Sequence, residues 1–273
     1  MKIYRTTAAV AVAGGMALAG NMALSPSAEA ATELSLNHYM FDKHFFVQQV
    51  VKPWGDQVTK LTNGRVTLKI PVAPLSPTPR QWSSVEKGVA GMAISHDGFQ
   101  RKRLTLMQIG YLPLTTKSST SGSVALWRTY DKHFRAANEY KGVKLIGVWQ
   151  HGGTHVFNSK KPITKVGDFK GMKFRATPGV GVDTFKLLGS SVVTSAGPEV
   201  FGLVSKKIVD GVAFPIDGIL RFKVAKYLKY MTYIPGSIYN QSWSLILNQK
   251  KWDGLSAADK KAIDSVSGEP VSA

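Results

Sequence analysis

The sequence contains no cysteine. Disulfides, thiolate nucleophiles and cysteine-ligated metals are therefore excluded. Acidic side chains are also few, with 17 Asp and Glu against 35 Lys and Arg. No close carboxylate pair forms a glycosidase or metal pattern. There is no Gly-x-Ser-x-Gly nucleophile elbow and no Gly-Lys phosphate loop. "PGVGVD" (178–183) has a Gly-x-Gly without the third glycine, and it reads as a turn entering a helix. His151 and His155 lie four apart, but Gly152-Gly153 separates them and no Glu accompanies them. A zinc site is not expected there, and no cofactor is expected anywhere. After residue 30 no run is long and apolar enough to cross a bilayer.

An export signal opens the chain. Lys2 and Arg5 precede an Ala-rich apolar run from about Ala8 to Leu24, then "SPSAEA" places small residues at Ala28 and Ala30. That pattern predicts a signal peptide over 1–30, cut near Ala30/Ala31. Taking 30 residues from 273 leaves 243, enough for one large or two small α/β domains. The whole chain carries +18, and removing Lys2, Arg5 and Glu29 leaves +17. The positive residues are scattered as pairs (Lys160-Lys161, Lys206-Lys207, Lys250-Lys251, Lys260-Lys261). With no dense basic tract and no interleaved aromatics, they read as solvated faces, and no nucleic-acid partner is expected. An exported, disulfide-free protein of this size suits a bacterial periplasm, with no membrane insertion once the signal is removed.

Periodicity predicts an α/β organisation. "ELSLNHY" (33–39) reads as a strand, and Phe46, Val50, Trp54, Val58 and Leu61 form a helical stripe over 44–62, stopped by Asn63-Gly64. "RVTLKIPV" alternates as a period-two strand, so strand–helix–strand points to a parallel sheet. A Pro-rich loop (74–79) and a short helix (80–87) lead to the buried strand "GVAGMAIS". A helix over 121–140, the strand "VKLIGVW", a break at "HGG" (151–153) and the strand "THVFNS" follow. Asp168 caps a turn before "MKFRAT". A helix over 179–188, "SVVTS", a helix starting at Pro198 and the strand-like "VDGVAFPID" come next. The remainder reads as a helix to about Tyr230, the strand "SWSLILN" and a last helix capped by Ser256 with Asp259.

Several stretches together resemble the solute-binding proteins of tripartite ATP-independent periplasmic (TRAP) transporters, the DctP-like family. They are "LTNGRVTLKIPV" (61–72), "YLPL" (111–114), "VGDFKGMKFRATPG" (166–179), "LLGSSVV" (187–193), "PEVFGLVSKKIVDG" (198–211), "YLKYMTY" (227–233) and "NQKKWDGLSAADKKAID" (248–264). The resemblance runs from about Glu33 to the end of the sequence. It implies two α/β domains around a cleft, with crossing hinge strands. These would be 31–152 with 240–273, and 153–239. It also implies closure on a small organic acid, then delivery to the small and large membrane subunits of an ion-driven transporter. The resemblance further implies a C-terminal helical segment beyond "SGEPVSA", where the sequence stops, as in a fragment or an early-terminated chain.

The resemblance also assigns a site. Arg175 in "KGMKFR" matches the family's signature arginine, which forms a two-pronged salt bridge with the ligand carboxylate. A planar guanidinium suits that pairing. Asn37 matches a polar ligand contact after the first strand, and His96 and Asp97 lie where polar contacts are frequent. His155 falls where some members have a second arginine; a packed strand histidine is an equal alternative. Phe214 and Gly197 stand where sialate-binding members have Asn and a bulky aromatic. These differences argue against sialic acid and for a small carboxylate with an apolar or aromatic body. Trp82, after the Pro-rich loop, is a candidate wall or simply core. The rival readings are an exported enzyme on a two-domain α/β scaffold and a basic protein drawn to anionic membranes.

Overall fold

A computed structural model of the chain describes residues 31–40, 43–115 and 117–273. The expected signal peptide lies outside the described residues.

Among the described residues ten strands form two five-stranded sheets. The first takes β1 (Thr32–Asn37), β2 (Val66–Lys69), β3 (Met92–His96), β4 (Val143–Gln150) and β10 (Ser242–Asn248), in the order β2-β1-β3-β10-β4. The second takes β5 (Thr154–Asn158), β6 (Lys173–Ala176), β7 (Ser191–Thr194), β8 (Gly211–Pro215) and β9 (Tyr230–Thr232), in the order β7-β6-β8-β5-β9. In each sheet three strands run parallel, and the others run antiparallel to their neighbours. The chain crosses from the first half to the second at residues 151–153 and returns through 233–241.

Both sheets are buried on two faces, and period-two alternation shows how. On β10, Leu245 and Leu247 enter one core cluster with Trp54 and Val58, while Ile246 enters another with Trp82 and Leu126. On β8, Val212 and Phe214 pack with Val200 and Ile219, while Ala213 packs with Phe174 and Phe185 on the other side. The connecting helices are short: α1 (Lys52–Leu61), α2 (Gln81–Glu86), α3 (Ser119–Thr129), α4 (Val180–Leu187), α5 (Val200–Ser205), α6 (Ile216–Arg221), α7 (Gln249–Asp253), α8 (Ala257–Ser265) and α9 (Glu269–Ser272). Gly55 lets α1 lie directly on β2, because a Cβ there would sit 2.5 Å from Leu68.

Most sequence expectations have counterparts. A π-helical turn (Phe46–Val51) runs straight into α1, and α3 continues through a second π turn (Tyr130–Phe134). Asp168 accepts from the backbone N–H groups of Thr164 and Lys165 at 2.9 and 3.1 Å. Ser256 caps α8 by accepting from the N–H of Asp259 at 3.1 Å. Arg65 then grips Asp259 through Nε at 3.1 Å and NH2 at 2.7 Å, tying α8 to the start of β2. The helix expected up to Tyr230 is shorter. α6 ends at Arg221, Lys223 takes a left-handed φ of 56°, and β9 follows. Glycine is the usual residue at such a stop, so a lysine there leaves no signal in the sequence.

Candidate functional site

A cavity of about 370 Å³ lies between the two halves. Its walls come from both sheets and from the crossing segments. Met40, Phe46, Phe99, Phe214, Phe222 and Trp243 make most of it apolar. A polar end is built around Arg175, and the cavity is also lined by Tyr39, His96, His151, Gln241 and Arg221.

Arg175 sits on β6 between two paired neighbours, opposite Val193 and Val212. Its side chain is fully buried. Nε donates to the Ser195 hydroxyl at 3.1 Å and NH2 donates to the Ser195 carbonyl at 2.5 Å. That consumes one edge of the guanidinium. NH1 has no partner in the protein. Among the described residues no carboxylate forms an ion pair with Arg175. Burial pulls its pKa down to about 10, against the weaker opposing influence of Tyr239 and Glu199. The carbon of the guanidinium lies 4.9 Å from the centre of the Phe214 ring, a cation–π arrangement.

His96 ends β3 and lines the cavity beside this group. Its Nδ1 accepts from the Gly98 N–H at 3.0 Å, so Nε2 carries the proton and donates to Gln241 Oε1 at 3.2 Å. Burial pushes its pKa down to about 4 and keeps it neutral. The Tyr39 hydroxyl accepts from Trp243 Nε1 at 2.6 Å, and burial pushes its own pKa up. At another part of the wall, Arg221 pairs with Asp217 at 2.7 Å, touches His44 Nε2 and lies 5.2 Å from the Phe45 ring centre. Burial, then the Arg221 charge, lowers the His44 pKa to about 3.

The halves also meet beside the cavity. Gly98 approaches the Pro178 carbonyl so closely that a Cβ would sit 2.5 Å from it. Arg101 pairs with Asp183 of α4 at 2.5 Å.

Of the seven residues expected at the site, the cavity lining includes Arg175, His96 and Phe214. The other four lie elsewhere, each for a visible reason. Asn37 spends its amide on the Pro-rich loop: Oδ1 accepts from the N–H groups of Leu75 and Ser76, and Nδ2 donates to Ser76 and Ser84. Asp97 points into the first half, where Ser242 and Ser244 both donate to it at 2.7 Å. Burial raises its pKa to about 7. His155 accepts from the Ile234 N–H at 3.2 Å and packs at a tilt against the Tyr233 ring at 4.4 Å, and burial lowers its pKa. Trp82 is 2 % exposed and packs among Val85, Leu126 and Tyr140, a core residue rather than a cavity wall. Sequence reasoning missed Tyr39, Phe46, Phe99, Gln241 and Trp243, which no motif distinguishes from core. Among the described residues no group of three or more His, Asp or Glu is placed to hold a metal, and no helix is long and apolar enough to cross a membrane.

Two α/β halves, joined by crossing segments and enclosing a small cavity with a buried arginine, define a two-lobed solute-binding protein. The chain belongs to the family described as bacterial extracellular solute-binding protein, family 7 (DctP), whose model matches residues 36–270. It is 35% identical over 237 residues to the outer membrane transporter protein TsaT of Comamonas testosteroni, covering 86% of this chain and 70% of that one. A TRAP periplasmic solute-binding protein from Bordetella bronchiseptica, solved with bound (R)- and (S)-mandelate, superposes with a TM-score of 0.84 at 30% identity, covering 88% of this chain and 76% of that one. A marine metagenome TRAP solute-binding protein in complex with 3-hydroxybenzoate gives a TM-score of 0.81 at 26% identity, covering 89% and 77%. The chain is thus a TRAP-type solute-binding protein, and the similar solved structures, like the family itself, are solute-binding proteins.

Proposed function

We propose that the protein captures small aromatic monocarboxylates and hands them to the small and large membrane subunits of a TRAP transporter. One observation carries this reading. A fully buried Arg175 has no carboxylate partner, keeps NH1 unpaired, and lines a cavity walled by aromatic rings. A buried cation without a counter-charge is costly. A ligand carboxylate on the guanidinium's open NH1/NH2 edge supplies the missing charge. The aromatic walls take up an apolar body, at about 25 cal/mol per Å² buried. A polyhydroxylated acid would instead leave hydroxyls against Phe214 and Phe222, each unmet group costing about 1–3 kcal/mol. The mandelate and 3-hydroxybenzoate bound by the two structural neighbours are in keeping with this reading.

The same reading places the lobes at 31–152 with 240–273 and at 153–239. It makes 1–30 a signal cut near Ala30/Ala31, which mass spectrometry of the periplasmic protein would check. Isothermal calorimetry with benzoate, phenylacetate, mandelate and their amides tests the ligand class. The acids are expected to bind and the amides to bind at least about tenfold more weakly, since one charge-assisted hydrogen bond is worth roughly 1.5–3 kcal/mol. A sugar acid that outbinds every aromatic acid would refute the reading.

A further inference from the structure

Two buried polar atoms on the cavity wall have no partner in the protein besides Arg175 NH1: His151 Nδ1 and Gln241 Nε2. They belong to adjacent residues on the two crossing segments. The His151 N–H donates to the Gln241 carbonyl at 3.1 Å, one rung beyond the Ser242–Gln150 pair of β10 and β4. A hydrogen bond sets the character of Gln241, and a nearby charge favours one tautomer of His151. Gln241 Oε1 is held by the proton of His96 Nε2, so its amide nitrogen presents two N–H donors. His151 is buried and neutral, and its Nε2 lies 3.9 Å from Asp217 Oδ1. A proton on Nε2 suits that carboxylate and leaves Nδ1 as an acceptor. The ring cannot turn freely, because Phe46 and Trp243 pack against it at 5.8 and 5.5 Å.

An unmet donor and an unmet acceptor, on neighbouring residues of the two crossing segments, complement one kind of group. A hydroxyl accepts from one and donates to the other. A second carboxylate does not fit, since it would meet the lone pair of His151 and the nearby Asp217. A bare hydrocarbon leaves both protein atoms unsatisfied. We propose that His151 and Gln241 form a hydroxyl-reading subsite, and that the ligand is a hydroxylated aromatic monocarboxylate. This rests on the reading of Arg175 as the carboxylate anchor. It adds that the hinge segments, rather than either lobe, sense the second functional group. Recognition there would couple the ligand's identity to the geometry of the crossing segments about which the lobes close.

The hydroxyl can sit on the carbon beside the carboxylate or on the ring, and two ligand pairs separate these sources. Mandelate is compared with phenylacetate, and 3-hydroxybenzoate with benzoate, by calorimetry on the wild-type protein. In at least one pair the hydroxylated acid is expected to bind at least about tenfold tighter, because a site built to bond a hydroxyl rejects the analogue lacking it. The pair that shows the preference locates the hydroxyl. His151→Phe keeps the aromatic packing and Gln241→Leu keeps the volume. Each is expected to cut the preference below about threefold, read as the ratio of the two affinities within one variant. Parent acids that bind wild type as tightly as their hydroxylated partners overturn this inference and leave the carboxylate anchor standing. A preference that survives both substitutions also overturns it. If none of the four acids binds, the aromatic-acid reading fails and this inference fails with it. The wild-type comparison decides even where a variant does not fold.

Discussion

The Arg175 guanidinium is packed against the face of the Phe214 ring, 4.9 Å from carbon to centroid, while Ser195 occupies its other edge. The ring and Ser195 together leave one direction open for an anion. Lysine at this position would keep the charge but lose the fork and the stacking. Arg175→Lys is therefore expected to fold and to weaken carboxylate binding by more than about tenfold, the loss of one charge-assisted hydrogen bond. Calorimetry on the two proteins measures this directly. Equal affinities would remove Arg175 from the site.

Phe214 is the residue expected to exclude sugar acids. It is only 8% exposed, meets Phe222 edge-on at 5.4 Å, and presses on Gly218. Phe214→Asn would remove apolar wall and introduce an amide able to bond a hydroxyl. The affinity gap between aromatic and sugar acids should narrow by about tenfold, mostly through weaker aromatic binding. A competition titration with benzoate against a sugar acid checks it. An unchanged ratio would place specificity elsewhere on the wall.

How much of this was legible beforehand differs from residue to residue. Arg175 could be read because its chemistry and its "KGMKFR" context point the same way. The individual strands and the α/β class followed from alternating apolar runs, which depend only on local periodicity, whereas the two-domain layout came from the family resemblance. The aromatic walls could not be read. Phe46, Phe99 and Trp243 come from three distant segments, and only the closed tertiary arrangement turns them toward one space. Trp82 and Asn37 show the converse. Trp82 follows the Pro-rich loop in sequence but faces the core, and Asn37, far from that loop in sequence, is used up holding it. Gln241 and His151 have no motif at all. They stand out only once the hydrogen bonds of their neighbours are counted.

The Arg101–Asp183 pair bridges the two halves at 2.5 Å, with both side chains roughly half exposed. An ion pair of that exposure is worth about 0–1 kcal/mol. Asp183→Ala should speed ligand release by at most about fivefold and should leave the association rate nearly unchanged. The difference should shrink at high salt, where exposed charges are screened. Stopped-flow release kinetics at two ionic strengths would show it. A larger, salt-independent effect would mean that α4 contributes to closure through packing instead.

Asp97 gives the fold a pH dependence whose sign can be worked out. Burial raises its pKa from 3.8 to about 7, against the hydrogen bonds from Ser242 and Ser244. The folded protein therefore keeps a proton that the unfolded chain releases above about pH 4. A raised carboxyl pKa contributes stability below the unfolded value, and that contribution is lost as pH rises toward 7. The buried His96 and His44 act the other way. Their pKa values are depressed to about 4 and about 3, so their contribution is present above about pH 6.5 and lost on acidification. Wild-type stability alone would mix these trends. Comparison with Asp97→Asn separates them, because the histidines are common to both proteins. Asparagine can still bond the two serine hydroxyls but cannot ionise. The variant's melting temperature relative to wild type is expected to rise steadily from pH 4 to pH 7 and then level off. The gain is bounded by roughly 1.4 kcal/mol per pH unit. Scanning calorimetry across that range decides the matter, and a difference that stays constant with pH would show that Asp97 is ionised in the folded protein throughout.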